Sequence, residues 1–245
     1  TPPSDASPID EEAGVQEPSS PATSETGSQD DKILDSRDFI SEMVAAGLTN
    51  LKVDQLVALK VNGVTAQFVR EISALVSTRL TADLIVAMRI HGVTAAFAEE
   101  LRAQGLPSLS VDQLIALRIH GVTSQYVNEL KNAGYGNATP DSLVAFRIHG
   151  VTPAFIKELE IMGYTNLTAN QLMAFRIHGV TPAFIRSIQE AGYDRITADQ
   201  LMELRIFGVT PEFIQLVKSR GFTDVTLHQL AELRRLNILP SAKKN

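Results

Sequence analysis

Thr168-Ala-Asn-Gln-Leu-Met-Ala-Phe-Arg-Ile-His178, continued by Gly179-Val-Thr-Pro182, decides the fold. A threonine followed three residues later by Gln171 forms a capping box, and Gly179 stands where a left-handed residue stops a helix. Thr181-Pro182 then opens a second helix, with proline at the first position, where its missing donor costs nothing. The stretch thus predicts two short helices joined by a tight glycine turn.

The same stretch recurs along the chain. Gly-Val-Thr begins at Gly63, Gly92, Gly121, Gly150, Gly179 and Gly208, always 29 residues apart. A second glycine series on the same period runs through Gly47, Gly105, Gly134, Gly163, Gly192 and Gly221, with Val76 as its departure. Self-similarity at a fixed period of this length marks a stacked repeat protein. Ser110 with Gln113, Thr197 with Gln200 and Thr226 with Gln229 repeat the capping box, and Thr152 and Thr210 repeat the Thr-Pro start. The apolar residues Phe155, Ile156, Leu159 and Met162 make one stripe on the second helix. The expectation is an all-α fold: an α-solenoid of two-helix repeats spanning residues 36–240, with about 14 short helices. It opens on a lone second-type helix at Ser36 and closes on a lone first-type helix at Thr226.

The chain has 245 residues and a formal charge of -6, unevenly placed. Residues 1–35 carry nine acidic groups against Lys32 alone and are rich in Pro, Ser and Thr, whereas the remaining residues sit near neutrality at +2. Too little apolar surface is present in 1–35 to offset ordering entropy, so it reads as a disordered acidic linker. Residues 241–245 read as a tail. With no cysteine, disulfides, thiolate metal sites and cysteine nucleophiles are excluded. No apolar stretch reaches membrane-spanning length, so no membrane insertion is expected. An opening Thr-Pro-Pro in place of methionine suggests a piece of something longer.

On a helical wheel, Val111, Leu114, Ile115, Leu117 and Ile119 of one first helix share a wide apolar arc that neighbours are expected to cover. The remaining strip carries Asp112, Ala116 and His120. Its rows through the array are Asp54, Asp83, Asp112, Asp141 and Asp199; Ala58, Ala87, Ala116, Ala145 and Ala174; and His91, His120, His149 and His178. Stacked one per layer, these would line a groove. Metal binding by the histidines is disfavoured, because imidazoles sharing a zinc need nitrogens about 3 to 3.5 Å apart, whereas equivalent residues of adjacent layers start about 10 Å apart. The expected role is to close the C-terminal turn, donating to the last carbonyls; a ligand-contacting row is the alternative.

Arg89, Arg118, Arg147, Arg176, Arg205 and Arg234 fall inside the apolar arc, where a charge must find partners. Aspartates or helix-end carbonyls of the next layer would make them a structural ladder; left exposed, they would capture carboxylates or phosphates. Phe68, Phe97, Tyr126, Phe155, Phe184 and Phe213 read as core, and Tyr135, Tyr164, Tyr193 and Phe222 as plugs of the second turn.

Leu-Ile-Ala-Leu-Arg-Ile-His-Gly-Val-Thr at 114–123, with the later Pro-x-Phe-Ile and Gly-Tyr, resembles helical repeat tracts of the C-terminal parts of bacterial membrane metallopeptidases of the β-lactam-sensor type. That resemblance implies a sensor-like tract preceded by a linker, and no enzyme, since the His-Glu-x-x-His helix and membrane spans are missing. The chain also looks like other α-solenoids, such as the tetratricopeptide and HEAT classes, which bind proteins or peptides.

No catalytic motif is present, and every polar group of interest recurs once per unit, the pattern of a binding surface or packing rule. The expected function is a non-enzymatic scaffold, without cofactor, that binds a protein or peptide in its groove. Candidate residues are His91, His120, His149, His178, Asp83, Asp112, Asp141, Ala116, Ala145, Arg118 and Arg147. Helix-hairpin-helix-like Gly-Val turns offer nucleic-acid or phosphate binding as the alternative, disfavoured by a near-neutral array and an acidic leader. A passive spacer is the remaining option.

Overall fold

A computed structural model describes residues 38–239; the expectations for 1–35, for Ser36 and Pro240, and for the tail 241–245 lie outside that range. The described residues are all helical, with no strand among them. Second-type helices are α1 (Phe39–Ala45), α3 (Ala66–Ser73), α5 (Ala95–Ala103), α7 (Ser124–Leu130), α9 (Pro153–Ile161), α11 (Pro182–Glu190) and α13 (Pro211–Ser219). First-type helices are α2 (Val53–Val61), α4 (Ala82–Ile90), α6 (Val111–Ile119), α8 (Pro140–His149), α10 (Ala169–His178), α12 (Ala198–Ile206) and α14 (Leu227–Arg235).

Local chemistry sets each boundary. Thr168 Oγ1 accepts from the Gln171 amide at 3.2 Å while Gln171 Oε1 accepts from the Thr168 amide at 3.0 Å, and Ser110, Thr197 and Thr226 form the same reciprocal pair. Each such cap is worth about 1 kcal/mol. Second helices start on Thr65, Thr94, Thr123, Thr152, Thr181 and Thr210, whose hydroxyls accept the amide of the aromatic three residues on at 3.1–3.2 Å. The Gly-Val-Thr glycines adopt φ of 63–72°. At Gly121 the turn closes by its own amide donating to the Arg118 carbonyl, 3.1 Å, and the Val122 amide to that of Leu117, 2.9 Å. Where Val76 replaces glycine, α3 ends without a left-handed residue, and the Ala74, Leu75 and Val76 amides reach back into its last turn. After α7, a π-type turn spans Lys131–Tyr135 and breaks at Gly134.

Nine-residue helices are marginal alone, so packing must hold them. First helices stack on first helices from α2 through α14, and second helices on second helices from α1 through α9. Between the two layers runs one continuous apolar core, with the valine of every Gly-Val-Thr and the aromatic of every second helix from Phe68 to Phe213 buried. No polar residue is buried among those described.

The covered arc is narrower than expected at the helix ends. The isoleucine in the last turn of the five first helices from α4 to α12, assigned to the covered arc, is exposed: Ile90, Ile119, Ile148, Ile177 and Ile206 are 55–62% accessible. The wheel angle is right, but the first helix ends there, and the chain turns away before a neighbour can cover the side chain.

Candidate functional site

The Arg row sits at the same helix ends. Each guanidinium lies over the aromatic ring found 21 residues earlier, on the second helix between its own first helix and the preceding one. Arg118 covers Phe97 at 5.3 Å, Arg147 covers Tyr126 at 4.7 Å, Arg176 covers Phe155 at 5.0 Å and Arg205 covers Phe184 at 4.8 Å. Arg89 on Phe68, Arg234 on Phe213 and Lys60 on Phe39 complete the row.

The second anchor is a helix end. Nε of Arg147, Arg176 and Arg205 donates to the carbonyls of His120, His149 and His178 at 3.3, 3.4 and 3.1 Å. Arg234 bonds the Gly208 carbonyl at 3.2 Å, whereas Arg89 Nε is buried without an acceptor. A positive charge at a helix C-terminus is favourable. The partners are therefore aromatic faces and carbonyls of the preceding layer, not aspartates and not the carbonyls of the next layer that were expected. Arg118, Arg147, Arg176 and Arg205 are exposed on their outer side, which corrects their placement inside the covered arc.

His91, His120, His149 and His178 are exposed. The expected capping by their imidazoles is corrected: among the described residues no hydrogen bond from these rings closes a turn. Glycine and valine amides do that, and His120, His149 and His178 offer their main-chain carbonyls to the arginines. At the matching position in α2's turn, Asn62 does cap with its side chain, Nδ2 donating to the Ala58 carbonyl at 2.8 Å.

Asp83, Asp112 and Asp141 are exposed, with Ala116 and Ala145 half-buried between them and the histidines. A cleft of about 190 Å³ between α6 and α8 is lined by Asp112, Gln113, Ala116, Pro140, Asp141 and Val144. The layers of α4, α6 and α8 therefore show an acidic end, a small-residue floor, and an Arg-Ile-His end, and α10 differs only in Asn170 at the first. At α12 and α14 the pattern changes: Glu203 replaces the small residue, and its carboxylate meets His228 Nδ1 at 2.8 Å.

The second turns are tied to the next layer. Hydroxyls of Tyr135, Tyr164 and Tyr193 donate to the carbonyls of Leu167, Ile196 and Val225, each 32 residues on, at 2.7–2.8 Å. Tyr126 donates to the Val151 carbonyl at 2.6 Å. Burial pushes all four phenols up, Tyr126 to about 12 against the lowering charge of Arg147.

Among the described residues no three of His, Cys, Asp and Glu come together to hold a metal, and no helix is long and apolar enough to cross a membrane. No family model, curated protein or solved structure matches the chain.

Sequence reasoning missed the exposed isoleucines and the Arg-over-aromatic stacking. The signal for the second was present: 21 residues separate aromatic from cation at every step from Phe39 to Arg234.

Proposed function

We propose that the array is a non-catalytic scaffold that binds an extended, acidic and apolar protein or peptide segment across the exposed Arg-Ile-His ends of its first helices. The observation carrying this reading is that one fixed guanidinium and one bare isoleucine recur side by side in successive layers. A guanidinium has five N–H donors. Ring stacking and one carbonyl bond hold each of Arg147, Arg176 and Arg205 in place, and their remaining donors find no protein acceptor among the described residues. Such preorganised forks suit carboxylates, at little further entropic cost. The isoleucines add apolar contact. Layers about 10 Å apart match about three residues of extended chain, so a ligand would place an acidic or aliphatic side chain at every third position.

Geometry favours a peptide over a nucleic acid. In the helix-hairpin-helix reading, turn amides contact phosphates, but here the Gly and Val amides of each Gly-Val-Thr turn are spent on carbonyls of their own helix. Five of the seven first helices also set an aspartate (Asp54, Asp83, Asp112, Asp141 and Asp199) at the opposite end of the same helix face, which a polyanion would meet with repulsion.

The test is a screen of extended peptides bearing Asp or Glu and Leu or Ile at three-residue spacing, read by fluorescence anisotropy. Ile119→Lys combined with Ile148→Lys should weaken binding by at least tenfold, and Ala116→Arg should block the floor. Equal binding by wild type and both variants overturns the reading, as does preferential binding of single-stranded DNA or polyphosphate with a steep salt slope.

A further inference from the structure

The two ends of the array are complementary halves of the interface that the chain repeats internally. Ile40 of α1 is 53% exposed, whereas its equivalents in the six other second helices (Val69, Ala98, Val127, Ile156, Ile185, Ile214) are at most 7% exposed. Val53 of α2 is bare where Ala82 and Val111 are buried. At the other end, Ile238 is 58% exposed at the position of the Gly-Val-Thr valine, which is at most 3% exposed in all six turns. Phe222 is 57% exposed where the tyrosines of inner layers are half-buried, and it borders an open cleft of about 500 Å³ with Leu233 and Ile238. These are core positions lacking a neighbour; elsewhere in solenoids such terminal faces are made polar.

We infer that the C-terminal face binds the N-terminal face of a second copy of this chain, head to tail, in the register of the internal repeat. The phase demands it: the array opens on a second-type helix and closes on a first-type helix, so α1 and α2 of another copy fall where the next pair after α14 would stand. Sequence period supports the same occupant. Residues 242 and 243 stand one period after Phe213 and Ile214 but are Ala and Lys, so the chain's own continuation lacks the apolar pair. Phe39 and Ile40, seven periods before those positions, supply it.

The polar links of the inner layers carry over too. Between α2 and α4, Gln55 Nε2 meets Asp83 at 3.3 Å, 28 residues on; at the same spacing one copy's Gln229 would stand opposite the second copy's Asp54. The arginine-to-carbonyl spacing brings the second copy's Lys60 to the Leu236 carbonyl at the end of α14. Where tyrosines donate to a carbonyl 32 residues on, Phe222 would lie against Leu51 and needs no hydrogen bond. A heterologous contact of this kind does not close on itself and builds chains of copies.

Sedimentation velocity and light scattering on the full 245-residue chain provide the test. The weight-average mass should climb with concentration beyond 26.6 kDa, through two and more copies, without stopping at a fixed number. Ile40→Glu and Ile238→Glu should each be monomeric alone, because each lacks one face. Mixed in equal amounts, they should give dimers and nothing larger, one intact C-terminal face meeting one intact N-terminal face. Both sites are exposed in the single chain, so helicity by circular dichroism should be unchanged, and Val53→Glu with Phe222→Glu gives a second pair. A constant monomer mass at near-millimolar concentration overturns the inference. So does self-association of either single variant, which would mean that one face pairs with itself.

Discussion

The Arg147 guanidinium carbon lies 4.7 Å from the centre of the Tyr126 ring, and that pair locks two repeats together. Tyr126 sits on α7, Arg147 near the end of α8, and Nε of the same arginine bonds the His120 carbonyl at the end of α6. Three consecutive helices are thus joined by one side chain.

That junction has a measurable worth. Cation–π contact at an exposed site contributes about 0.5 to 1 kcal/mol, and a charge-assisted hydrogen bond adds about 1 kcal/mol or more. Arg147→Ala should therefore destabilise the array by about 1 to 2 kcal/mol in urea unfolding. A double-mutant cycle with Tyr126→Leu should return a coupling of about 0.5 to 1 kcal/mol. Zero coupling would mean that the stacking is geometric coincidence.

Two glycines separate backbone cost from ladder cost. Gly179 (φ 72°) and Gly163 (φ 91°) both adopt a conformation that strains an L side chain by about 1 to 2 kcal/mol. A Cβ on Gly163 would meet nothing within 4 Å, whereas one on Gly179 would stand 2.5 Å from Nη2 of Arg205. Gly179→Ala should consequently cost more than Gly163→Ala, by up to the worth of Arg205's stack, about 1 kcal/mol. In an Arg205→Ala background the two alanine substitutions should cost the same. A persisting difference would place the excess in the backbone.

These comparisons also show what sequence could and could not reveal. Caps and stops are local: Thr168 reads Gln171 three residues away, and Gly179 needs no distant partner, so helix number and phase followed from spacing alone. Ile119 and Arg118 were misplaced because a wheel assumes an endless helix, whereas α6 ends at Ile119. Whether a last-turn residue is covered depends on how far the neighbouring helix extends, a property of packing. The imidazole of His120 was assigned a bond that the Gly121 and Val122 amides make unnecessary, a competition visible only once the turn geometry is known.

The tyrosine links of the second turn should be equivalent and independent. Tyr164 Oη donates to the Ile196 carbonyl at 2.8 Å, and Tyr164→Phe leaves that carbonyl without its donor. The expected cost is about 1 kcal/mol, with similar values at Tyr135 and Tyr193, adding when combined because the sites lie in different layers. Additivity is checked with the triple phenylalanine variant. A loss well short of the sum would show that water replaces the hydroxyl.

Alkaline pH should weaken the array through these same phenols. Burial raises Tyr126 from 10.0 to about 12, partly offset by Arg147, and burial raises Tyr135, Tyr164 and Tyr193 as well, with Glu160 adding to the shift at Tyr135. A raised folded pKa means that the folded chain holds its phenolic protons after the unfolded chain has released them. Below about pH 10 both states are protonated, and the full contribution is present. From there up to about pH 12 the unfolded state gains by ionising, so stability falls as pH rises through the folded pKa. Urea midpoints should hold steady as neutral pH gives way to pH 9 or so, then drop, with phenolate absorbance of the folded protein appearing later than that of the unfolded chain. Tyr126→Phe should lower stability at neutral pH through loss of the Val151 bond, yet flatten the alkaline decline, so its curve approaches that of the wild type as pH rises. Parallel curves for the two proteins would show that Tyr126 ionises alike in the folded and unfolded chain, and that its burial does not control alkaline stability.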